Sequence, residues 1–264
     1  MLHQTIINKL AKNHKKVQKK SQKLYQAFSQ QTIKQLRIHI KERKTFARFL
    51  SMIENTTLSV SKPVKKFYNV AWETRRRHIS QKKFIAYAHH YVSTEQEKLF
   101  LMYCIQKELS YHDSLYKQLE NIHDQIPFLF DNLIKKYISI PHNTIQNQYN
   151  AFKYSLLVWI QRLAQQENCQ DDDIHTIRKQ IKHLLYLWTL NNDNDLEDYL
   201  QRSKKLWQRN DHIELHQTLK IFNKQYKKEE KRIKPLRKQL KKTIKEEKKE
   251  ILYHIPFIFT PKKI

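Results

Sequence analysis

Not one of the 264 residues is a glycine. Two-residue hairpins and left-handed helix ends depend on residues that accept positive φ, and glycine is the usual one. Its absence disfavours a chain built of tight β-turns. The six prolines cannot substitute for it, and the connections between apolar-periodic stretches are made of Asn, Asp, Ser and Thr. Hydrophobic residues are 39% of the chain, with 14 Tyr, 12 Phe and 4 Trp, enough to fill a core rather than leave the chain disordered. The expected fold class is all-α.

Apolar spacing along the chain predicts successive helices. They cover Met1–Ser29, then Gln30–Asn55 with Asn55-Thr56-Thr57 as its stop, then Lys62–His90 with Pro63 near its start. Ser93-Thr94-Glu95-Gln96-Glu97 reads as a capped helix start, running to about Gln125. A shorter helix is expected within Gln125–Pro141, followed by an apolar helix over Asn143–Gln166. Asp171-Asp172-Asp173 places negative charge at the start of the next helix, which ends at Asn191–Asp195. Leu196–Asn210 forms a further helix, and Asp211–His254 is read as one long helix with a kink at Pro235. The apolar tail from Ile255 is expected to dock on the body.

Two of these stretches read as copies. Ile33-Lys34-Gln35-Leu36-Arg37-Ile38-His39-Ile40-Lys41 recurs as Ile174-His175-Thr176-Ile177-Arg178-Lys179-Gln180-Ile181-Lys182, with Arg37 and Arg178 141 positions apart. At 100° per residue, Lys34, Arg37, Lys41, Lys44 and Arg48 lie within about 80° of one another, beside the seam of Ile33, Leu36, Ile40, Ala47 and Leu50. In the second copy His175, Arg178 and Lys182 flank Ile174, Ile177 and Ile181. A weaker match follows each copy at nearly the same separation: Val64-Lys65-Lys66-Phe67-Tyr68-Asn69 and Ser203-Lys204-Lys205-Leu206-Trp207-Gln208. Together they argue for an internal duplication. The chain is read as a single domain, 1–264, with halves at about 1–125 and 142–264.

A helix of the form His-x-x-Arg-x-x-x-Lys/Arg in each half, followed by a Lys-Lys-apolar helix, resembles the CHAD family, the conserved-histidine α-helical domains. His175, Arg178, Lys179 and Lys182, with Tyr186 after them, carry the second motif, and Arg37 and Lys41 the first, with Lys34 at the histidine position. The resemblance implies two pseudo-symmetric helical-bundle halves around a basic central channel, and binding of inorganic polyphosphate. Lys34, Arg37, Lys41, Lys44 and Arg48 would line one wall, and His175, Arg178, Lys179 and Lys182 the other. Lys65, Lys66, Arg76, Lys204 and Lys205 would extend it.

Charge agrees with a polyanionic partner. Lys+Arg number 51 against 25 Asp+Glu, a formal balance of +26, which repels itself unless counterions or a polyanion neutralise it. A mixture of forked guanidinium donors and mobile ammonium charges suits a flexible chain of phosphates. His175, beside Arg178 and Lys182, should hold its proton weakly until an anion arrives, making it a pH-sensitive phosphate donor. Nucleic acid is the alternative partner, and docking on an anionic membrane a third. The Lys224–Lys249 run, where Glu residues neutralise neighbours at helical spacing, is read as a solvated face.

Enzyme signatures are missing: without glycine there is neither a phosphate-cradling loop nor a nucleophile elbow. The histidines lack paired metal-ligand spacing, and the two cysteines, Cys104 and Cys169, suggest neither a disulfide framework nor a metal site. No cofactor, no metal and no catalysis are expected. No window approaches the ~20 apolar residues of a membrane span, and the chain is expected in the cytoplasm, associated with polyphosphate granules where these exist.

Overall fold

The computed structural model describes residues 2–53, 55, 61–123, 135, 137–191 and 196–258. Among these every long element is a helix: α1 (Leu2–Gln26), α2 (Gln30–Ile53), α3 (Lys62–Tyr91), α4 (Thr94–Leu109), α5 (His112–His123), α6 (His142–Ala164), α7 (Asp171–Asn191), α8 (Leu196–Gln225) and α9 (Glu230–Ile258). A 3₁₀ turn, Lys227–Glu229, joins the last two. Most of the short helix expected within Gln125–Pro141 lies outside the described residues.

Polar side chains and Asn stand in for glycine at the helix ends. The Thr32 N–H donates to Ser29 Oγ at 3.3 Å to start α2. Beyond the end of α2, Asn55 takes φ 49°, the left-handed region that Asn tolerates best after glycine. At the start of α4 the Ser93 N–H donates to Gln96 Oε1 at 3.1 Å, half of a capping box. The acidic start of α7 divides its work: Asp173 Oδ2 accepts the Gln170 N–H at 2.7 Å, while Asp171 Oδ1 accepts from Arg209 Nη2 at 2.7 Å.

Three boundaries differ from the sequence expectation. The stretch from Thr94 breaks at Ser110, whose hydroxyl donates to the Lys107 carbonyl at 2.8 Å. Asn210 and Asp211 do not end a helix, because α8 runs through them to Gln225; Asn210 is buried, so tertiary packing overrides a local turn signal. The interruption falls at Tyr226 (φ −117°, ψ 67°) rather than at Pro235, where the Tyr226 ring stacks on Phe222 at 4.7 Å and meets Tyr103 edge-on at 6.1 Å. At the C-terminal end α9 continues through Pro256 to Ile258.

Three apolar clusters hold the helices. The largest joins Ile6 and Leu10 of α1, Phe46, Phe49 and Leu50 of α2, the inner faces of α6 and α7, and Ile251 and Ile255 of α9. A second gathers Val17, Leu24, Ile33, Leu36, Ile40, Phe67 and Leu115 from α1, α2, α3 and α5. The third joins Phe84 of α3 and Phe100 and Tyr103 of α4 to Leu215, Leu219 and Phe222 of α8 and Ile233, Leu236 and Leu240 of α9. The consequence for function is the placement of α2 against both α3 and α7, and of α8 against α3 and α7. That set brings the two basic stripes face to face.

Candidate functional site

With Ile33, Leu36 and Ile40 of α2 and Ile174, Ile177 and Ile181 of α7 committed to the core, the flanking cations are driven into the space between the helices. Arg37, only 7% exposed, lies with its guanidinium carbon 4.9 Å from the Tyr68 ring centre and 4.6 Å from that of Trp72. Its Nη2 donates to the Tyr68 hydroxyl at 3.3 Å. Lys44 Nζ stands 4.3 Å, and Lys41 Nζ 5.8 Å, from the centre of the same Tyr68 ring. Opposite them Lys182 Nζ sits 5.0 Å from the ring of Trp207. Each long cation is thus laid over an aromatic face, which fixes its stem and offsets part of its lost hydration.

Matching positions of the two similar stretches influence each other here. Lys182 feels the charge of Lys41, and Arg178 that of Arg37; both pairs are 141 residues apart, as are Arg76 with Gln217 (2.5 Å) and Arg77 with Thr218 (3.4 Å). Near them Thr45 bonds His183 at 2.7 Å, and Ser80 bonds Thr218 at 2.9 Å. Tyr68 and Trp207 likewise occupy matching places after the two Lys-Lys pairs.

Crowding of like charge has the expected effect on protonation. Burial, then Arg37, Arg178 and Lys44, bring the Lys41 ammonium down to about 7. Burial, then Lys41, Arg178 and Arg37, bring Lys182 down to about 6, with Asp211 acting the other way. Two acids of α8 moderate the field: Glu214, 9% exposed, pairs with Arg76 at 2.5 Å, and both Glu214 and Asp211 lie near Arg178. Burial raises the proton affinity of each, and the nearby arginines hold it back. Arg37, Lys41, Lys44, Arg178 and Lys182 thus crowd one another, with two acids beside them.

The remaining predicted residues fall around this centre. Arg48 donates to Gln180 Oε1 at 2.8 Å, tying α2 to α7, with its guanidinium 5.8 Å from the Phe152 ring centre. His175 Nδ1 is 3.4 Å from Arg178 Nη2; burial, Arg178 and Lys179 lower it to about 4, so it accepts from the arginine in the free protein. Lys65 stands near Lys44, and Lys179 near His175. Arg76 is engaged by Glu214 and Gln217. Lys34, Lys66 and Lys204 are exposed, and Lys205 pairs with Glu250 of α9.

Sequence reasoning assigned most aromatics to apolar seams and the acids to caps, and so missed Tyr68, Trp72, Trp207, Asp211 and Glu214. A signal for two of them was present: Tyr68 and Trp207 are the aromatic positions of the repeated Lys-Lys segment. Among the described residues no group of three His, Cys, Asp or Glu side chains could hold a metal ion, and no helix is long and apolar enough to cross a membrane.

No protein-family model and no curated protein matches the chain. A solved structure does: the crystal structure of the CHAD domain from the plant Ricinus communis superposes with a TM-score of 0.75 at 10% identity, covering 97% of this chain and 91% of that one. The chain therefore has the fold of a CHAD domain, as the motif helices suggest.

Proposed function

We propose that this CHAD-fold chain binds inorganic polyphosphate, without catalysis, in a basic channel between two pseudo-symmetric halves. The observation that carries the reading is the convergence of Arg37, Lys41 and Lys44 with Arg178 and Lys182. Ordinary folding has no use for so much repulsion in a half-buried recess, whereas a phosphate chain would neutralise it and release counterions. Contacts between residues 141 apart support a two-fold relation between the halves, since positions near such an axis meet their own equivalents. The extended set, Lys34, Arg48, Lys65, Lys66, Arg76, His175, Lys179, Lys204 and Lys205, would guide the chain ends towards the centre.

Nucleic acid is the competing ligand. The aromatic faces that would stack bases are already covered by Arg37, Lys44 and Lys182, which favours a ligand without bases. Labelled long-chain polyphosphate, displaced at fixed near-physiological salt by polyphosphate, RNA or duplex DNA, decides between them. The expected result is displacement by polyphosphate alone, abolished in the Arg37→Glu/Arg178→Glu double variant. Equal competition by nucleic acid per unit charge, with the variant binding normally, would sink the assignment. A cytoplasmic place, with polyphosphate granules, follows as part of the same proposal.

A further inference from the structure

Helix α4 is apolar on two opposite faces, and the fold covers one of them. Phe100, Tyr103 and Cys104 are buried, with Phe100 packed on Phe84 of α3 at 4.2 Å and Tyr103 meeting Phe222 of α8 edge-on at 5.3 Å. Half a turn round the same helix, Met102, Ile105 and Leu109 stand about half exposed. A helix with one core face ordinarily turns polar residues outward, and one that is apolar all round belongs in an interior. Ile85 of α3, 43% exposed, extends the strip. Gln81, one turn before it on the same face, donates to Glu108 of α4 at 3.3 Å, so Ile85 lies along the edge that α3 shares with α4.

Local charge says what can cover this strip. Residues 94–123, which hold α4 and α5, contain three lysines and five acids, a balance of −2 in a chain of +26. On the exposed side of α4 itself Glu95 and Lys98 cancel. Two copies of so basic a chain repel over most of their surfaces, and here they do not. An anionic membrane or an acidic protein would be drawn to the basic faces instead. Spacing supplies the shape of the contact: Met102, Ile105 and Leu109 follow the alternating three- and four-residue step of a two-helix seam, and Lys98 continues it. Set antiparallel about a two-fold axis, Met102 of one copy meets Ile105 of the other, and Leu109 lies along the Lys98 stem.

We propose that two copies of this chain associate through the exposed face of α4, in a two-fold dimer with Met102, Ile105 and Leu109 at its centre and Ile85 at its rim. The inference is independent of what fills the basic recess. The contact is small, which places it among weak interfaces. Apolar burial drives it, and the mutual repulsion of two +26 chains opposes it, so salt strengthens it by screening the repulsion. That sign is the reverse of the one expected for polyanion binding, which salt weakens.

The test is sedimentation velocity of the full chain over a series of concentrations, at about 0.05 M and about 0.5 M sodium chloride, where the screening length falls from about 14 Å to about 4 Å. Two variants accompany it. Met102→Gln/Ile105→Gln keeps the charge and alters only side chains already exposed in the single chain, and Tyr253→Gln alters an exposed residue of α9 as a control. The expected result is a dimer whose Kd is at least about tenfold lower at the higher salt, weakened at least about tenfold by the double variant and unchanged by Tyr253→Gln. A monomer at every concentration and both salts overturns the proposal and leaves the strip to a different protein. A dimer that the double variant forms as readily overturns the assignment to α4. A dimer that the higher salt dissolves overturns the apolar contact, in favour of a basic face of one copy meeting acids of the other.

Discussion

Binding a polyanion in this recess must take up protons. In the free protein Lys41 titrates near 7 and Lys182 near 6; a phosphate chain laid between them replaces like-charge repulsion with attraction and returns both towards the ordinary lysine range near 10.4. The complex then holds more protons than the free protein at any pH between about 6 and 10, so affinity falls as pH rises through that range. If both lysines were fully restored, the linkage between pH 6 and 8 would be worth two to three decades in Kd; because the two titrate as a pair, we expect about ten- to a hundredfold weakening. The assay is a calorimetric titration with long-chain polyphosphate at pH 6, 7 and 8 and constant ionic strength, repeated in two buffers of different ionisation enthalpy. Buffer-dependent heat should report uptake of about one to two protons at pH 8. A Lys41→Arg/Lys182→Arg variant, permanently charged, should bind with little pH dependence. A Kd constant within twofold from pH 6 to 8, with heats independent of buffer, would refute the reasoning.

The same depressed lysines act on folding. The native state binds fewer protons than the unfolded chain between about pH 6 and 10, so Tm of the free protein should rise with pH from 6 to 9, and Lys182→Met should flatten that rise in a thermal melt. His183 and His175, both lowered to about 4 chiefly by burial, add a loss of stability as pH falls from about 6.5 to 4. Asp211→Asn removes a negative charge from the neighbourhood of Arg178 and Lys182 and should tighten polyphosphate binding by about fivefold, a gain of about 1 kcal/mol at an effective dielectric near 20, measured in the competition assay. Phe222→Ala removes a ring packed on Phe100, Tyr103 and Tyr226 and should cost about 3–5 kcal/mol in urea unfolding.

The motif helices were legible because they satisfy two rules at once: an apolar seam at helical period and a cationic stripe beside it. The absence of glycine made the fold class legible for the same kind of reason, since it removed alternatives. The break at Ser110 was not, because apolar periodicity continues on both sides and the turn is made by a serine hydroxyl rather than by Pro or Gly. Asn210-Asp211 misled in the opposite direction. It has the composition of a connection, yet neighbouring Arg209 reaches the Ile244 carbonyl at 3.3 Å and Asp171 at 2.7 Å, and these long-range bonds hold the helix through it. In the site, the stripes could be read from spacing, but their aromatic floor and acidic moderators depend on how α3 and α8 lie against α2 and α7. Spacing along one helix carries no information about that.

The largest apolar cluster has a consequence for how the chain is made. Ile6 and Leu10 share it with Ile251 and Ile255, so α1 has part of its partner surface translated some 240 residues after it. At ~5–20 residues per second the wait is about 12 to 50 s. Throughout that interval a strongly basic, amphipathic segment stands near the ribosome's own polyanion with the part of its apolar face that α9 completes still uncovered. A chaperone that shields this helix during synthesis is therefore a more useful aid to yield than one that acts on the released chain.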